Sequence, residues 1–311
     1  MVPALTSPAR PVRRACSWGW PSSPARDICC CSAPAACDPP DSHCSGRTHM
    51  STECTALSID NGIARLRLTD LDKGNPIHRR FCDALCDRAI ELSCRDDVRA
   101  VLVTAEGKNF GFGGDIAHFV AQGDALPSEI KRMTATIHSA IARLQRMDAP
   151  MVVAVQGVCA GGSAAFAAGC DTVISADNAR WVAAYAGIGY STDASATVMF
   201  SRRMGLARAR NFLLRNQTLD AQAALAAGLV DEVVPAADLL AHAEAIAAQY
   251  AAGPTKAYGE IRRLLLTVQN QPLETQLELE AQALARVAAT EDARAGLCAF
   301  SEKRKPVFTG R

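Results

Sequence analysis

The chain has 311 residues, of which 49% are hydrophobic and 21% charged, and its formal net charge is +1. Because no basic stripe accompanies this near-neutral balance, the composition gives no electrostatic case for binding nucleic acid. The longest apolar runs contain glycines and are too short to cross a bilayer, so we predict a soluble protein, and the cysteines scattered among apolar residues indicate a reducing, cytoplasmic location.

The first 49 residues differ in composition from the rest of the chain. They hold eight of the fifteen prolines and six of the thirteen cysteines, and they show little apolar periodicity. Three interpretations are open for them: a disordered extension, a targeting segment, or translated sequence ahead of a start at Met50, which we favour. The remaining stretch of about 260 residues suits a large core, predicted over residues 50–235, with a smaller helical region over residues 236–311.

Alternating apolar and polar residues around Asp60-Asn61-Gly62 predict a β-hairpin with strands over residues 56–59 and 63–68. Strand and helix patterns then alternate, which is typical of right-handed crossovers in a parallel α/β array. Further strands are predicted over residues 98–104, 151–155, 172–176 and 229–234. Helices are predicted over residues 78–95, 130–147, 163–169, 238–252, 256–269 and 273–289, with two more between residues 206 and 228.

Two glycine-rich turns each follow a predicted buried strand. The first has the sequence NFGFGGD at residues 109–115, and the second has AGGS at residues 160–163. Such a turn directs unpaired backbone N–H groups into a small space, and the start of a helix adds its positive dipole end. Two turns from neighbouring strands can therefore stabilise one oxyanion. A turn that only packs a strand against a helix is the simpler interpretation.

The pair NFGFGGDI and AVQGVCAGGS resembles the two oxyanion-hole segments of the crotonase (enoyl-CoA hydratase/isomerase) superfamily, and the match extends from about residue 56 to the C-terminus. The resemblance implies a spiral of ββα units with a C-terminal helical region that assembles trimers, often paired into hexamers. It also implies that the backbone N–H groups of Gly114 and Gly162 hold the carbonyl oxygen of a coenzyme A thioester. The substrate is then carried as this thioester, and no permanently bound cofactor is expected.

The two glutamates that perform acid–base chemistry in the hydratases of this superfamily have no counterparts here. Carried across without gaps, their positions are occupied by Ala165 and Tyr185. Hydration of a double bond needs one group to activate water and another to deliver a proton, and neither side chain replaces a carboxylate. The sequence therefore makes ordinary enoyl-CoA hydratase activity doubtful.

Asp193 is the carboxylate that residues 178–205 offer instead. Its position resembles that of the proton-shuttling aspartate of ring-epoxide and other enoyl-CoA isomerases, and also that of the nucleophilic aspartate of 4-chlorobenzoyl-CoA dehalogenases. In those dehalogenases a histidine matches His138 and an aromatic residue matches Tyr185. Apolar neighbours are expected to raise the pKa of Asp193 and to make it a better base.

Simpler structural roles are open for the same residues. Aspartate is a favoured N-cap, so Asp193 would cap a helix that begins near Ala194, and His138 would be an ordinary helical histidine. Asp115 is expected to cap the helix that follows it. Phe112 stands where the superfamily usually has a small residue, which predicts a narrower acyl pocket.

The segment around Asp193 departs from the superfamily pattern. Thr192 stands where a proline precedes the aspartate, and Ala194 and Ser195 stand where glycines often follow. These departures leave the predicted fold unchanged and the identity of the substrate open.

The resemblance also suggests residues that contact coenzyme A. Lys73 lies in a loop that meets a CoA phosphate in similar proteins, and Phe300 and Lys303 match a Phe and a Lys that help to hold CoA. A solvated basic tail is the competing interpretation for the last two. No metal site is expected, since the N-terminal cysteine cluster lacks a ligand spacing with histidines.

Four functions are compatible with these residues. The leading one is an enoyl-CoA isomerase in which Asp193 moves a proton beside an enolate held at the two glycines. The second is dehalogenase-like hydrolysis of an aryl-CoA, with Asp193 as nucleophile and His138 as the base that activates water. The third is an enoyl-CoA hydratase, and the fourth is a non-catalytic subunit that binds acyl-CoA.

Overall fold

The structure is a computed structural model, which describes residues 54–71 and 74–311. These residues belong to one unit, Met50–Arg311. The predictions for residues 1–49 and for Lys73 lie outside the described residues. Among the described helices, none is both long and apolar enough to cross a membrane.

Nine strands occur in the described part of the chain. They are β1 (Thr55–Asp60), β2 (Ile63–Leu68), β3 (Ala100–Ala105), β4 (Met151–Val155), β5 (Val158–Ala160), β6 (Thr172–Ala176), β7 (Arg180–Val182), β8 (Thr218–Asp220) and β9 (Glu232–Val234). They form a six-stranded sheet of order β1-β2-β3-β4-β6-β9 and a three-stranded sheet of order β5-β7-β8.

Eleven α-helices accompany these strands in the same ranges. They are α1 (Arg79–Ser93), α2 (Ile116–Gln122), α3 (Leu126–Arg146), α4 (Gly161–Ala168), α5 (Ala196–Met204), α6 (Leu206–Leu214), α7 (Ala221–Ala227), α8 (Leu239–Ala251), α9 (Thr255–Thr267), α10 (Leu273–Ala288) and α11 (Glu291–Ser301). Helix α11 and the three-residue strands β5, β7 and β8 are additions to the predicted elements.

The predicted hairpin is confirmed. Strands β1 and β2 pair antiparallel with Asp60 opposite Ile63, so the loop contains only Asn61 and Gly62. Both loop residues have positive φ, 52° and 76°, which is the conformation that a two-residue hairpin turn requires. From β2 onwards every pairing in the large sheet is parallel, as the alternation of strands and helices predicted.

Helices cover both faces of the large sheet. Val101, Val153 and Val173 point into the larger core, which includes buried residues of α1 and α3. Their neighbours Leu102 and Val152 point to the other face, where α8 packs its buried alanines. Because both faces are covered, the strands carry continuous apolar runs, and all five residues of β4 are buried.

A buried tryptophan connects the small sheet to the large one. Trp181 lies in β7 with no exposed surface, and its indole N–H donates to Ser175 Oγ of β6 at 3.2 Å. Strand β7 pairs parallel to β5 and antiparallel to β8. The chain that leaves β7 enters the segment that carries Tyr185, and the chain that leaves β5 enters the glycine turn at Gly161, so this sheet fixes both.

Arg262 joins the C-terminal helices to the core. This residue of α9 is buried, and its guanidinium donates to the backbone carbonyls of Leu144, Met147 and Ala149 at the end of α3 and just beyond it. Its Nε also bonds Asp171 at 3.0 Å. One side chain thus satisfies three carbonyls where the helix ends.

Candidate active site

The two glycine turns meet side by side. Gly111 N–H donates to the carbonyl oxygen of Val158 at 3.1 Å, and Ala160 N–H donates to that of Gly111 at 2.9 Å. Gly113 has a φ of +80°, and a Cβ there would lie 2.9 Å from the Ala160 oxygen and 3.3 Å from the Gly162 nitrogen. The close approach of the two turns therefore depends on the absence of a Cβ at Gly113.

Gly114 and Gly162 present backbone N–H groups without an acceptor among the described residues. The N–H groups beside Gly114 are occupied, since Gly113 donates to Ser163 Oγ at 3.2 Å and Asp115 donates to a backbone carbonyl at 3.0 Å. Gly162 lies in the first turn of α4, where N–H groups have no partner within the helix. The two free N–H groups have the character of an oxyanion hole.

Both glycines line a cavity of about 700 Å³, and so do Asp193, His138 and Tyr185. Its wall is mostly apolar and includes Ile77, Ile116, Phe119, Ile130, Met133 and Ile137. The five predicted catalytic residues, which come from four separate stretches of the chain, therefore meet in one place. The size and polarity suit a small organic ligand with an apolar part.

Asp193 is the one carboxylate among the described residues that line the cavity. Its Oδ1 lies 3.6 Å from the point where a Cβ of Gly162 would be. Desolvation by the surrounding protein raises the pKa of Asp193, while a hydrogen bond from Tyr185 acts in the opposite direction. The side chain is nevertheless exposed to the open cavity, so the rise is limited here, and an apolar ligand that displaced water would raise this pKa further.

Asp193 does not cap a helix, so the capping interpretation is wrong. Helix α5 begins at Ala196, and its N-cap residue is Ser195, which makes no side-chain capping bond. Ala194 and Ser195 adopt left-handed conformations with φ of 48° and 70°. These are the positions where the superfamily pattern has glycines, and the two positive φ values explain that preference.

Tyr185 is buried beside Asp193. Its hydroxyl donates to the backbone oxygen of Asp193 at 3.4 Å. Burial, with the nearby Asp193 charge, raises the pKa of Tyr185, so that the phenol remains a donor at neutral pH. The Tyr185 N–H donates to Oδ1 of Asn216 at 3.2 Å. Asn216 also lines the cavity, and no sequence motif indicated it.

The structure also locates the remaining residues predicted near the site. Ala165, at the first position of a hydratase acid, is fully buried inside α4. Asp115 caps α2 through a 2.9 Å bond from the N–H of His118, which confirms its predicted capping role. Phe112 lines the cavity and is 46% exposed.

The residues expected to hold CoA are not brought to this cavity within the described chain. Phe300 lies on α11 and is 85% exposed, and Lys303 follows that helix at the surface. Neither lines the cavity. Their role in binding CoA stays a prediction, as does that of Lys73.

One cluster in the described ranges, Cys54, Asp70 and His78, has the residue types of a metal site. Nδ1 of His78 accepts the N–H of Phe81 at 3.2 Å, so the ring proton belongs on Nε2, which lies 2.9 Å from Asp70. Both ring nitrogens are therefore committed, and no lone pair is left for a metal ion. The histidine of this cluster caps α1 instead.

Comparisons with known proteins identify the family. A family model for enoyl-CoA hydratase/isomerase matches residues 58–311. A probable enoyl-CoA hydratase of Rhodobacter capsulatus is 34% identical over 84% of this chain and 100% of its own length. The 1,2-epoxyphenylacetyl-CoA isomerase of Escherichia coli is 30% identical over 81% of this chain and 97% of its own length.

A solved structure agrees with these relatives. The crystal structure of an enoyl-CoA hydratase from Polaromonas sp. JS666 superimposes with a TM-score of 0.77 at 25% identity, covering 82% of this chain and 99% of that one. The sequence match and the shared fold confirm the crotonase architecture that the two glycine segments predicted. The chain is an enzyme of the crotonase superfamily and belongs to the enoyl-CoA hydratase/isomerase family.

Proposed function

We propose that the protein is an isomerase of CoA thioesters that shifts a double bond or opens a ring next to the thioester. The observation that carries this proposal is the single carboxylate of Asp193, placed beside Gly162 in an apolar cavity. An isomerase needs one group that can both remove and return a proton. A hydratase of this family uses two acids, whereas the described lining holds one carboxylate, and Ala165 and Tyr185 occupy the positions of the two hydratase acids.

The reaction follows from this arrangement. The Asp193 carboxylate removes a proton from the α or γ carbon of the acyl group, and the bonding electrons move to the thioester oxygen. The N–H groups of Gly114 and Gly162 stabilise the resulting oxyanion. The protonated Asp193 then returns the proton to the other carbon, so neither water nor a redox partner is consumed.

Apolar residues around the reacting centre favour an apolar acyl group. Phe119 lies against Gly114, where an added Cβ would approach its ring to 2.8 Å, and it packs edge-on against Tyr190 with ring centroids 6.2 Å apart. Phe112 narrows the cavity on the side of the Gly74 loop. Aryl and branched acyl chains match such a wall better than polar ones.

Dehalogenase-like hydrolysis also uses Asp193, but it requires His138 to activate water. Nε2 of His138 accepts the N–H of Ala194 at 3.2 Å, so its lone pair is already engaged. The geometry for that reason favours proton transfer over hydrolysis. CoA binding through Lys73, Phe300 and Lys303, a homotrimeric or hexameric assembly, and a cytoplasmic location belong to the same proposal.

The test is a panel of enoyl-, epoxy- and aryl-CoA thioesters incubated in deuterated water, with products and protein analysed by mass spectrometry. An isomerase gives a product of unchanged composition and deuterium at the α or γ carbon, both lost in Asp193→Asn. A covalent adduct on Asp193 would instead establish hydrolysis through a nucleophile. Tight thioester binding without turnover or deuterium exchange would indicate that the protein is a non-catalytic subunit that binds acyl-CoA.

A further inference from the structure

His138 lies on α3, far in sequence from the segment that carries Asp193, yet the two are joined by one hydrogen bond. The backbone N–H of Ala194 donates to Nε2 of His138 at 3.2 Å. Because Nε2 accepts this N–H, its lone pair is engaged by the backbone. While this bond is made, Nε2 is occupied and donates nothing to Asp193.

The bond falls on a strained turn. Ala194 and Ser195 both have left-handed φ, a conformation that residues with a Cβ adopt only at an energetic cost. Such a conformation persists only when surrounding contacts hold it. The turn carries the Asp193 carboxylate, and the Cβ of Ala194 lies 3.7 Å from the position of a Gly162 Cβ. A change in the turn would move the carboxylate relative to the glycine hole.

Other hydrogen bonds to the same turn use atoms other than the N–H of Ala194. The carbonyl oxygen of Asp193 accepts the N–H of Ala196 at 2.9 Å and the hydroxyl of Tyr185 at 3.4 Å. The hydroxyl of Ser195 donates to the carbonyl of Ala194. Among the described residues, His138 alone accepts the N–H of Ala194, which is a residue without exposed surface.

We propose that His138 is a positioning residue: through the N–H of Ala194 it locks the left-handed turn that aims Asp193 at the acyl carbon. The inference rests on the proposed isomerase function. It gives His138 a role different from that of a base that activates water, and different from that of a helical histidine with no part in the site.

Two substitutions separate these roles. In His138→Gln the amide oxygen reaches about as far from the backbone as Nε2, whereas in His138→Asn it reaches only about as far as Nδ1. Neither side chain can act as a base. We therefore expect His138→Gln to keep kcat within about fivefold of wild type, and His138→Asn to lose about 10- to 100-fold in kcat with KM changed less than threefold, because misplacement by about 1 Å carries such a cost.

A second measurement does not depend on turnover. Amide hydrogen exchange of a peptide spanning residues 191–199 should be faster in His138→Asn and close to wild type in His138→Gln, with equal melting temperatures confirming that both fold. If no thioester is isomerised but exchange separates the variants, the isomerase proposal fails and the positioning bond stands. Equal loss of kcat in both variants, or equal exchange in both, would overturn the role proposed for His138.

Discussion

Asp193 combines two properties that a proton shuttle needs, a position beside the oxyanion hole and a pKa raised by desolvation. Asp193→Asn keeps the shape of the side chain and removes the base. We expect kcat to fall by about 10²–10⁴-fold, the usual worth of a positioned acid–base group, with little change in thioester affinity. Steady-state kinetics and a binding titration measure the two effects.

The matched control for this change is Asp238→Asn, which removes an exposed carboxylate before α8. Its kcat should equal that of wild type. Comparable activity in Asp193→Asn and Asp238→Asn would exclude Asp193 as the shuttle and direct attention to Tyr185.

The raised pKa of Asp193 also has a consequence for stability. An acid whose pKa is higher in the folded state binds its proton more tightly there than in the unfolded chain. The contribution of this proton to the free energy of unfolding is complete below the unfolded pKa of about 3.9, and it is lost as pH rises through the folded pKa. Asp193→Asn should therefore increase the free energy of unfolding at pH 7, and this gain should vanish near pH 3.5. Urea denaturation at both pH values tests the sign.

At this scale the sequence indicated the residue types but not their conformations. The resemblance singled out Asp193, His138 and Tyr185, and all three line the cavity. Left-handed φ at Ala194 cannot be predicted from an alanine, because alanine ordinarily avoids that region. Asn216 could not be identified from the sequence for a related reason. It bonds Tyr185, which is 31 residues away in the chain, and no local sequence pattern indicates such a contact.

Helix α4 contributes to the site through the start of its backbone, which makes Gly162 testable by paired substitutions. Gly162→Pro removes the N–H donor, and loss of one such donor costs about 10²–10³ in rate. Gly162→Ala keeps the N–H and adds a Cβ that meets the flexible end of Ile77 at 2.8 Å. We expect the alanine variant to retain far more kcat than the proline variant when both are assayed with the same thioester.

Folding must be checked in the same pair. Circular dichroism and size-exclusion chromatography should show both variants intact. Activity of Gly162→Pro within a few-fold of wild type would mean that another donor holds the oxyanion.

Helix α9 offers a second comparison between neighbouring arginines. Arg262 is buried and satisfies three carbonyls, whereas Arg263 is 37% exposed and pairs with Asp148 and Glu260. We expect Arg262→Met to lower the free energy of unfolding by about 2–4 kcal/mol, since buried acceptors lose their donor. Arg263→Met should cost less than about 1 kcal/mol, and equal losses in denaturation experiments would contradict this assignment.

Elements of five or more residues with a clear apolar pattern could be predicted from the sequence, whereas three-residue strands could not. Strands β4 and β6 have the predicted bounds because short runs that are mostly apolar are bounded by Pro, Gly and Asp. Strands β5, β7 and β8 have three residues each, which is too few to show a period of two. Tertiary pairing alone defines them, and they set the positions of Gly161 and Tyr185.

At the scale of the whole molecule, α10 presents an apolar face that the described chain leaves uncovered. Leu273, Leu277 and Leu284 share one side of the helix and are 69%, 55% and 71% exposed. Large exposed apolar patches mark interaction surfaces. The double variant Leu277→Glu/Leu284→Glu should therefore elute as a single chain where the wild type elutes as a trimer or hexamer, as light scattering would show. A wild-type protein that is itself monomeric would contradict the predicted assembly.

Trp181 gives the core of this protein an optical reporter. The chain has three tryptophans, and two of them, Trp18 and Trp20, lie in the first 49 residues. A version starting at Met50 would emit fluorescence only from Trp181, which is fully buried in β7 and bonds Ser175 of β6. Its emission would be blue-shifted in the folded state and would move to longer wavelength on unfolding. Because β7 leads directly to Tyr185, we expect thioester binding to change the same signal, which would then follow binding in real time without a label.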